Sequence, residues 1–282
     1  EVGNKLGITA GGRSVHAPFA TVGGFSKLPT IQNFTGLFPQ LLAIRPLILH
    51  LIEVFHNCGF ELKQAVKFMA LVDPEFSFLD GEVITSDGQK FQPHKLDERL
   101  KRRSIPYSQA TGYVLDKSVY IVGALARLNL NREALHPNTR RDAARALSLF
   151  PSINIFHNNL AQAIEMLHAV DTSIDLINQY QALPEKPTSI TPKESVGIGI
   201  IEAPRGTLFH KMEITNDGKI KKGTIIVPTG QNQIGIENSI RNYVSGNVDQ
   251  PKEVLSHEIE KIIRAYDPCM SCATSFLKIR WK

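Results

Sequence analysis

The stretch HNNLAQAIEMLHAVDTSIDLINQY, residues 157–180, decides the fold of this chain. Its apolar side chains recur every three or four residues, at Leu160, Ile164, Leu167, Val170, Ile174 and Ile177. Apolar residues at this spacing form a stripe along one face of an α-helix, and that stripe has to be buried. We therefore predict a long core helix over residues 157–180. Asn158 or Asn159 is the expected N-cap, and His157 is expected to form structural hydrogen bonds.

Helical spacing of apolar residues predicts further helices on both sides of this stretch. The expected segments are Ile31–Asn57, Leu62–Leu71, Pro93–Arg103, Ser118–Asn129, Thr139–Leu149 and Lys252–Ala265. The most apolar part is Phe38–Phe55, which is interrupted by Arg45, Pro46, His50 and Glu53. A membrane-spanning helix needs about 20 predominantly apolar residues. We therefore expect a buried or amphipathic helix here and no membrane span.

Strand patterns are confined to two parts of the chain. Residues 82–91 alternate in polarity around Ser86-Asp87-Gly88, which is a hairpin turn sequence. Later strands are expected at Val196–Ile201, Leu208–Ile214 and Lys219–Pro228, with Asn216-Asp217-Gly218 turning between the last two. The predicted fold class is mainly α with a small antiparallel β-sheet (α+β). We expect residues 1–282 to form a single domain.

Composition excludes several classes of protein. The 282 residues are 42% hydrophobic and 21% charged, as in globular chains large enough to bury a core. The net charge is +5, and the basic run Lys101-Arg102-Arg103 is interpreted as a solvated helix face, so no nucleic-acid partner is expected. Three cysteines are too few for a disulfide framework, which favours a reducing compartment, the cytoplasm.

A second informative stretch is Asp267-Pro268-Cys269-Met270-Ser271-Cys272. Two cysteines separated by two residues can direct both sulfurs at one centre, and a thiolate pair suits a soft metal. Pro268 fixes the backbone before Cys269, and Asp267 can carry a charge or a proton beside a metal. The spacing alone leaves a redox pair, half of a zinc site or a coincidence open. The third cysteine, Cys58, follows an apolar helix and is expected to be a buried thiol.

The segment EAPRGT, residues 202–207, connects two of the predicted strands. Because Pro204 and Gly206 constrain the backbone, Arg205 is held by a stiff turn. A guanidinium held in this way can donate hydrogen bonds to a small anionic ligand without losing its charge. The structural alternative is that Arg205 pairs with Glu202 or caps backbone carbonyls.

The segment VPTGQN, residues 227–232, follows the next strand. Its threonine hydroxyl and two side-chain amides, on a tight loop, suit the wall of a polar pocket. Ordinary turn chemistry accounts for the same residue types equally well.

The chain resembles the large, catalytic subunit of nickel–iron hydrogenases in six motifs that occur in the family's order. The motifs are GGRSVH (11–16), VGALARLNLN (122–131), FHNNLAQAIEMLHAV (156–170), GIIEAPRGTLFH (199–210), VPTGQNQIGIE (227–237) and YDPCMSCAT (266–274). The resemblance covers essentially the whole chain and points to the cytoplasmic group that passes electrons to NAD(P) or F420. It implies the large-subunit fold with the amino-terminal part missing.

The resemblance also implies a metal centre of one nickel and one iron held by four thiolates, with CO and cyanide ligands on the iron. Cys269 matches the terminal nickel ligand, and Cys272 matches the thiolate that bridges the two metals. Arg205 matches an arginine that hydrogen-bonds a cyanide above the metals. Asp267 matches an aspartate in the same canopy. Arg205, Asp267 and Cys269 are therefore the implied catalytic residues.

The same resemblance assigns a second cofactor-binding segment and a further cation. Pro228 and Thr229 match the loop that lines the other diatomic ligands. In the family, a histidine three residues after the last cysteine marks where a maturation protease trims the tail, and it helps to hold a nearby cation such as Mg²⁺. Here that position is Ser275, and the tail Phe276–Lys282 remains, which weighs against the cation.

A further departure from the family is that the amino-terminal CxxC is absent. Cys58 stands alone, so the chain supplies two of four thiolates. The sequence is therefore interpreted as a fragment of a hydrogenase, or one part of a split subunit, that is inactive in isolation. Its expected partners are the missing amino-terminal part, a diaphorase-type or F420- or NAD(P)-linked flavoprotein, and an iron–sulfur small subunit.

Two other hypotheses remain open. A non-catalytic scaffold of the kind found in quinone-reducing respiratory complexes is favoured by Ser275 and opposed by the retention of Cys269 and Cys272. A small CxxC metal or redox module accounts for the cysteines and leaves EAPRG unexplained. The electron acceptor and the direction of catalysis do not follow from the sequence.

We predict that Ser275→His restores trimming of the tail in a host that contains the maturation protease. The intact mass of the purified variant is then expected to fall by the mass of the trimmed residues, whereas the parent chain keeps its tail in the same host. A variant that retains the full mass would show that Ser275 is not what prevents processing.

Overall fold

The computed structural model describes residues 1–181 and 186–273, in which eleven α-helices and eleven β-strands are present. The helices are α1 (Val2–Gly11), α2 (Ile31–Thr35), α3 (Phe38–His56), α4 (Leu96–Arg99), α5 (Ala124–Asn131), α6 (Pro137–Asp142), α7 (Ala144–Leu147), α8 (His157–Gln179), α9 (Pro228–Ser245), α10 (Lys252–Ala265) and α11 (Met270–Ala273). The strands are β1 (Ala20–Thr21), β2 (Gly24–Phe25), β3 (Lys67–Val72), β4 (Glu82–Thr85), β5 (Lys90–Phe91), β6 (Leu100–Arg103), β7 (Gly112–Leu115), β8 (Tyr120–Ile121), β9 (Ser195–Ala203), β10 (Gly206–Ile214) and β11 (Ile220–Ile226). The predicted fold class, mainly α with small sheets, is confirmed.

Helix α8 lies at the centre of the larger hydrophobic core, as its apolar spacing predicts. Its fully buried side chains include Leu160, Ala161, Ile164 and Leu167. Helices α3 and α5 pack against it. The N-cap prediction is wrong, because α8 begins directly after Phe156 and has no side-chain cap.

Two polar side chains in the first turn of α8 bond to other segments. Asn158 Oδ1 accepts a hydrogen bond from Leu125 N (3.1 Å), and Asn158 Nδ2 donates to Ala265 O (2.9 Å). Asn158 therefore joins the start of α5 to the end of α10. His157 Nδ1 lies 2.7 Å from Ser152 Oγ, which confirms the structural role expected for this histidine.

The late three-stranded sheet forms as predicted, in the order β11–β10–β9 with antiparallel neighbours. The predicted early hairpin also forms, from β4 and β5. Its turn contains Gly88 at φ +84°, a left-handed conformation that glycine adopts without a steric penalty. The sheet of this hairpin continues through β3 to β8, and β8 runs parallel to β3.

The predicted helix Leu62–Leu71 is wrong, because its second half is strand β3 between two hydrophobic cores. Phe68 and Ala70 contribute to the core around α8. Met69 and Leu71 contribute to a smaller core beneath the sheets. A strand that is buried on both faces appears in sequence as an unbroken apolar run, which periodicity alone does not separate from a buried helix.

Two further helix predictions need correction. Pro93–Arg103 contains a 3-10 turn (Pro93–Lys95) and the single turn of α4, and it then continues as β6. Lys101-Arg102-Arg103 is exposed on this strand, which pairs with β7, and not on a helix. Ser118–Asn129 begins with β8, and α5 starts only after Gly123, whose φ of +121° lies outside the helical region. Helices α1, α9 and α11 lie outside the predicted helices.

The apolar segment Ile31–His56 forms α2 and α3. Among the described residues it is the one segment long and apolar enough to cross a membrane, judged by length and composition, with a mean hydropathy of 1.5 over its most apolar 18 residues. Leu41, Ile48 and Ile52 of α3 are buried in the core. The absence of a membrane span stays a prediction. Cys58 is exposed because α3 has already ended, and the expectation of a buried thiol is wrong.

We predict that His168 makes the stability of the fold depend on pH. Its ring packs edge-on against Phe76, and its Nδ1 accepts a hydrogen bond from His136 N (3.0 Å). Burial, followed by the neighbouring His136, lowers the pKa of His168 from 6.5 to about 4. Between these values the unfolded chain binds a proton that the folded chain does not. The free energy of unfolding should therefore fall by up to about 3 kcal/mol as the pH decreases from about 7 to about 4.

The variant His168→Asn keeps an acceptor for the His136 N–H and should lack this part of the pH dependence. Urea unfolding at both ends of the pH range measures the effect, with the exposed His257→Asn as the matched control. An unchanged pH dependence in His168→Asn would contradict the prediction.

Candidate functional site

The tight turn between β9 and β10 positions Arg205. Strand β9 ends at Ala203 and β10 begins at Gly206, so Pro204 and Arg205 form the whole turn. Gly206 has φ +128°, and a Cβ atom at this position would lie 2.7 Å from Gly123 N. The turn therefore lies directly against the backbone that precedes α5, at a distance that only glycine allows.

Arg205 forms an ion pair with Asp267. Its Nη2 donates to Asp267 Oδ1 (3.1 Å) and its Nε donates to the Asp267 carbonyl oxygen (2.7 Å). The second carboxylate oxygen, Asp267 Oδ2, accepts a hydrogen bond from Gln162 Nε2 of α8 (2.9 Å). Of the structural alternatives, pairing of Arg205 with Glu202 is wrong, because Glu202 is buried and pairs with Arg127. Capping of a backbone carbonyl is confirmed by the bond to the Asp267 carbonyl oxygen. The side chains of Arg205 and Asp267 are 38% and 35% exposed, so both are accessible to a ligand.

A buried hydrogen-bond network fixes the end of α10 immediately before Asp267. Tyr266 Oη donates to Gln64 Oε1 (2.8 Å) and lies 2.8 Å from Ser239 Oγ. Burial raises the pKa of Tyr266, which keeps its hydroxyl protonated. Asp267 itself has φ +47°, so the chain turns sharply there as it leaves the helix.

The two cysteines lie at the start of α11, beside the first turn of α9. Cys269 N donates to Thr229 Oγ1 (3.0 Å). The sulfurs of Cys269 and Cys272 are joined as a disulfide, with Cα atoms 5.4 Å apart, so the spacing brings both sulfurs to one place. Cys272 is exposed and Cys269 is half-buried. When reduced, the pair presents two thiolates at the surface beside the Arg205–Asp267 pair.

Pro228 and Thr229 lie in a helix, which corrects the predicted loop over residues 227–232. Pro228 is the first residue of α9, where its missing N–H costs no helical hydrogen bond. Gln231 Nε2 donates to the carbonyl oxygen of Thr207 in β10 (2.6 Å). Asn232 bonds to the backbone N and O of Val122 (2.9 and 3.0 Å). The two amides therefore hold neighbouring backbone, whereas Thr229 contacts the cysteine segment.

The donor set fits one side of a nickel–iron centre. Thiolates are soft donors suited to both metals, and the exposed position of Cys272 leaves room for further ligands. Across residues 1–181 and 186–273, no three His, Cys, Asp or Glu side chains converge on a point where a metal could be held. Ser275 and the tail Phe276–Lys282, and with them the expected cation position, lie outside the described residues.

Residues 107–275 match the family model for nickel-dependent hydrogenase. The chain belongs to the nickel-dependent hydrogenase family. The matched range contains every candidate site residue, from Arg205 to Cys272. The resemblance to the large subunit of nickel–iron hydrogenases, stated from the six motifs, is thereby confirmed.

Individual hydrogenases agree with the family assignment. The chain is 28% identical over 276 residues to the alpha chain of sulfhydrogenase 1 of Pyrococcus furiosus, which covers 95% of this chain and 64% of the relative. It is 32% identical over 305 residues to a chain of the F420-non-reducing hydrogenase of Methanothermobacter thermautotrophicus, covering 96% and 62%. A crystal structure of an NAD+-reducing nickel–iron hydrogenase in the H2-reduced state superposes with a TM-score of 0.79 at 25% identity, covering 97% of this chain and 66% of that one. The large-subunit fold is thus confirmed, and this hydrogenase chain spans less than two thirds of the length of each of these proteins.

Sequence reasoning missed the buried residues that bond to the turn of Arg205. Arg127 of α5 is only 2% exposed and donates to both carboxylate oxygens of Glu165 (2.6 and 2.7 Å) and to Glu202 (2.7 Å). Burial lowers the pKa of Arg127, but the attraction of Glu165 and Glu202 outweighs this effect and raises it overall. A signal was present, because a single arginine in the apolar motif VGALARLNLN has to be paired when it is buried. Gln162, by contrast, gave no signal that separates it from an exposed helix residue.

We predict that the Arg205 turn does not tolerate a side chain at Gly206. In Gly206→Ala the new Cβ meets the backbone of Gly123, and the positive φ is strained for any L-residue. The expected loss in the free energy of unfolding is about 2 kcal/mol or more.

The matched control is Gly199→Ala in the neighbouring strand, where an added Cβ meets nothing within 4 Å. This control should change stability by no more than about 0.5 kcal/mol. Urea denaturation of both variants measures the difference. Equal stabilities would mean that the turn does not pack as closely as the structure shows.

Proposed function

We propose that this chain is a catalytic large subunit of a nickel–iron hydrogenase, or the larger part of one, that cleaves H2 reversibly and heterolytically. The observation that carries the proposal is the Arg205–Asp267 pair directly before the paired Cys269 and Cys272. This arrangement occurs in a member of the nickel-dependent hydrogenase family. The membership supports the class of reaction, and the paired sulfurs support a metal-binding role for this particular chain.

Cys269 and Cys272, once reduced, are the residues that would hold the nickel–iron centre from this chain, with two further thiolates from another segment or polypeptide. The bound centre, with its expected CO and cyanide ligands, supplies soft metals that polarise H2 and accept its electrons. Thr229 accepts a hydrogen bond from Cys269 N at 3.0 Å and so orients the backbone that carries the first sulfur. Pro228, at the start of the same helix, is proposed to line the diatomic ligands with Thr229.

Arg205 is proposed to bind an anionic ligand, and Asp267 is proposed to be a candidate acceptor for the proton released from H2. An arginine side chain stays protonated and donates hydrogen bonds in fixed directions, which suits an anionic ligand above the sulfurs. Heterolytic cleavage also releases a proton that needs a nearby base. The Cys269 sulfur and the Asp267 carboxylate are the candidates. The two hydrogen bonds to Asp267, from Arg205 and Gln162, fix the direction in which its oxygens face.

The partners and the compartment are proposed from similarity to known hydrogenases and not from contacts in this structure. The superposed solved structure is of an NAD+-reducing hydrogenase, which favours two partners, a diaphorase-type, NAD(P)-linked flavoprotein and an iron–sulfur small subunit. An F420-linked flavoprotein remains a prediction from the motifs. We further propose a cytoplasmic location without a membrane span, and a single domain over residues 1–282.

The test is to express this hydrogenase chain with its neighbouring hydrogenase genes in a host that matures nickel–iron centres. We predict that the purified assembly contains nickel and iron and reduces a redox dye with H2. Both metals and the activity should be lost in Cys269→Ser and in Cys272→Ser. The exposed Cys58→Ser is the matched control and should retain both.

The chain purified alone should contain little nickel, because two thiolates are too few to retain the centre. Stoichiometric nickel and iron in the isolated chain would contradict the proposed division of ligands. An assembly that forms but contains no nickel in the parent form would overturn the catalytic proposal. It would then favour the scaffold function, which Ser275 supports.

A further inference from the structure

All five N–H donors of the Arg127 guanidinium are used, and two of them bond to the turn that carries Arg205. Nε and one Nη2 hydrogen bond to Glu165, and one Nη1 hydrogen bonds to Glu202. The remaining Nη1 and Nη2 donors bond to the carbonyl oxygens of Ala203 (3.1 Å) and Pro204 (3.0 Å). A guanidinium has five donors in a rigid planar arrangement, so this environment saturates it.

The two carboxylates alone would satisfy the buried charge of Arg127. The two carbonyl bonds are additional, and they fix the peptide groups on either side of Pro204, immediately before Arg205. We infer that Arg127 is a positioning residue that holds the Arg205 turn in place against Asp267, which precedes the paired cysteines in the chain. The inference rests on the proposed function, since it assigns Arg127 a role in placing a residue of that site.

Helix α8 supports the same ion pair from its other side. Gln162 and Glu165 are three residues apart and therefore lie on the same face of the helix. Glu165 holds Arg127 and, through it, the turn of Arg205. Gln162 Nε2 donates directly to Asp267 Oδ2 at 2.9 Å. One turn of α8 thus determines the positions of both members of the Arg205–Asp267 pair.

The charged side chains that hold the turn are buried. Glu202 is 4% exposed and also accepts hydrogen bonds from Leu71 N (2.8 Å) and Thr207 Oγ1 (2.7 Å). Burial raises the pKa of Glu202, and the ion pair with Arg127 opposes that effect. Arg127 itself is only 2% exposed, so a change in the geometry of its donors is expected to move the turn.

The test uses Arg127→Lys, which keeps the positive charge beside the two carboxylates. A lysine has three donors at one point and does not reproduce the planar arrangement, so the carbonyls of Ala203 and Pro204 should lose their partner. The matched control is Arg45→Lys. Arg45 likewise pairs with two carboxylates, Asp142 and Asp171, and its hydrogen bonds do not involve the Arg205 turn.

Hydrogen–deuterium exchange is measured on the full chain, purified with whatever partners accompany it. In Arg127→Lys, exchange at residues 203–207 is expected to accelerate by about tenfold relative to the parent chain. Arg45→Lys should change exchange there by less than about twofold. Equal acceleration in both variants, or none in Arg127→Lys, would overturn the positioning role.

The metal-loaded assembly provides a second measurement. The infrared stretching bands of the expected cyanide ligands should shift in Arg127→Lys and stay unchanged in Arg45→Lys, because Arg205 is the implied donor to a cyanide. Unshifted bands in a loaded Arg127→Lys assembly would count against the inference. If no assembly binds metal, only the proposed function fails, and the exchange measurement still decides whether Arg127 holds the turn.

A further variant keeps the inference testable if Arg127→Lys does not fold. Glu165→Gln retains one acceptor for Arg127 and removes one of the two negative charges beside it. Exchange at residues 203–207 should accelerate in this variant, while exchange in β11, at the edge of the sheet opposite β9, is unchanged. Uniform acceleration over the whole sheet would instead show that the cluster acts only on stability.

Discussion

The buried positive charge of Arg127 is the constraint around which this part of the fold is arranged. A guanidinium out of contact with water has to be surrounded by acceptors, because an unpaired buried charge is strongly destabilising. Glu165 comes from α8 and Glu202 from β9, so a single residue of α5 requires a helix and a sheet to meet at a defined distance. The turn with Arg205 lies at that junction.

Much of the fold was predictable because local pattern and tertiary burial agree. Helix α8 is the clearest case, since its apolar stripe faces one continuous core. The apolar spacing predicted the wrong element where a segment is buried on two faces. Strand β3 alternates between two cores, and both sets of apolar side chains merge into one run in the sequence. Helix α9 failed for the opposite reason, because its buried positions include the polar residues Gln231, Asn232 and Ser239.

The candidate site was predictable only where the residues were part of a short motif. Arg205, Asp267 and the two cysteines lie in EAPRG and DPCxxC, whose glycine and prolines mark special backbone geometry. The partner of Arg205 was not predictable, because an acidic residue three positions away is the nearest choice in sequence. The turn instead directs Arg205 towards Asp267, 62 residues later in the chain. Glu202 instead forms an ion pair with the buried Arg127.

The polar contacts of the site are made within this chain, whereas its set of metal ligands is incomplete. The polar support is complete, since Arg205, Asp267 and the Cys269 backbone all have partners from α8, α9 or the turn. Of the two cysteines, Cys269 is half-buried and Cys272 is exposed. A soft-metal centre needs its ligands to converge from more than one direction, whereas both sulfurs here come from a single turn of chain. In the proposed centre, the remaining thiolates are therefore expected to approach from the exposed side of Cys272, away from the buried charge of Arg127.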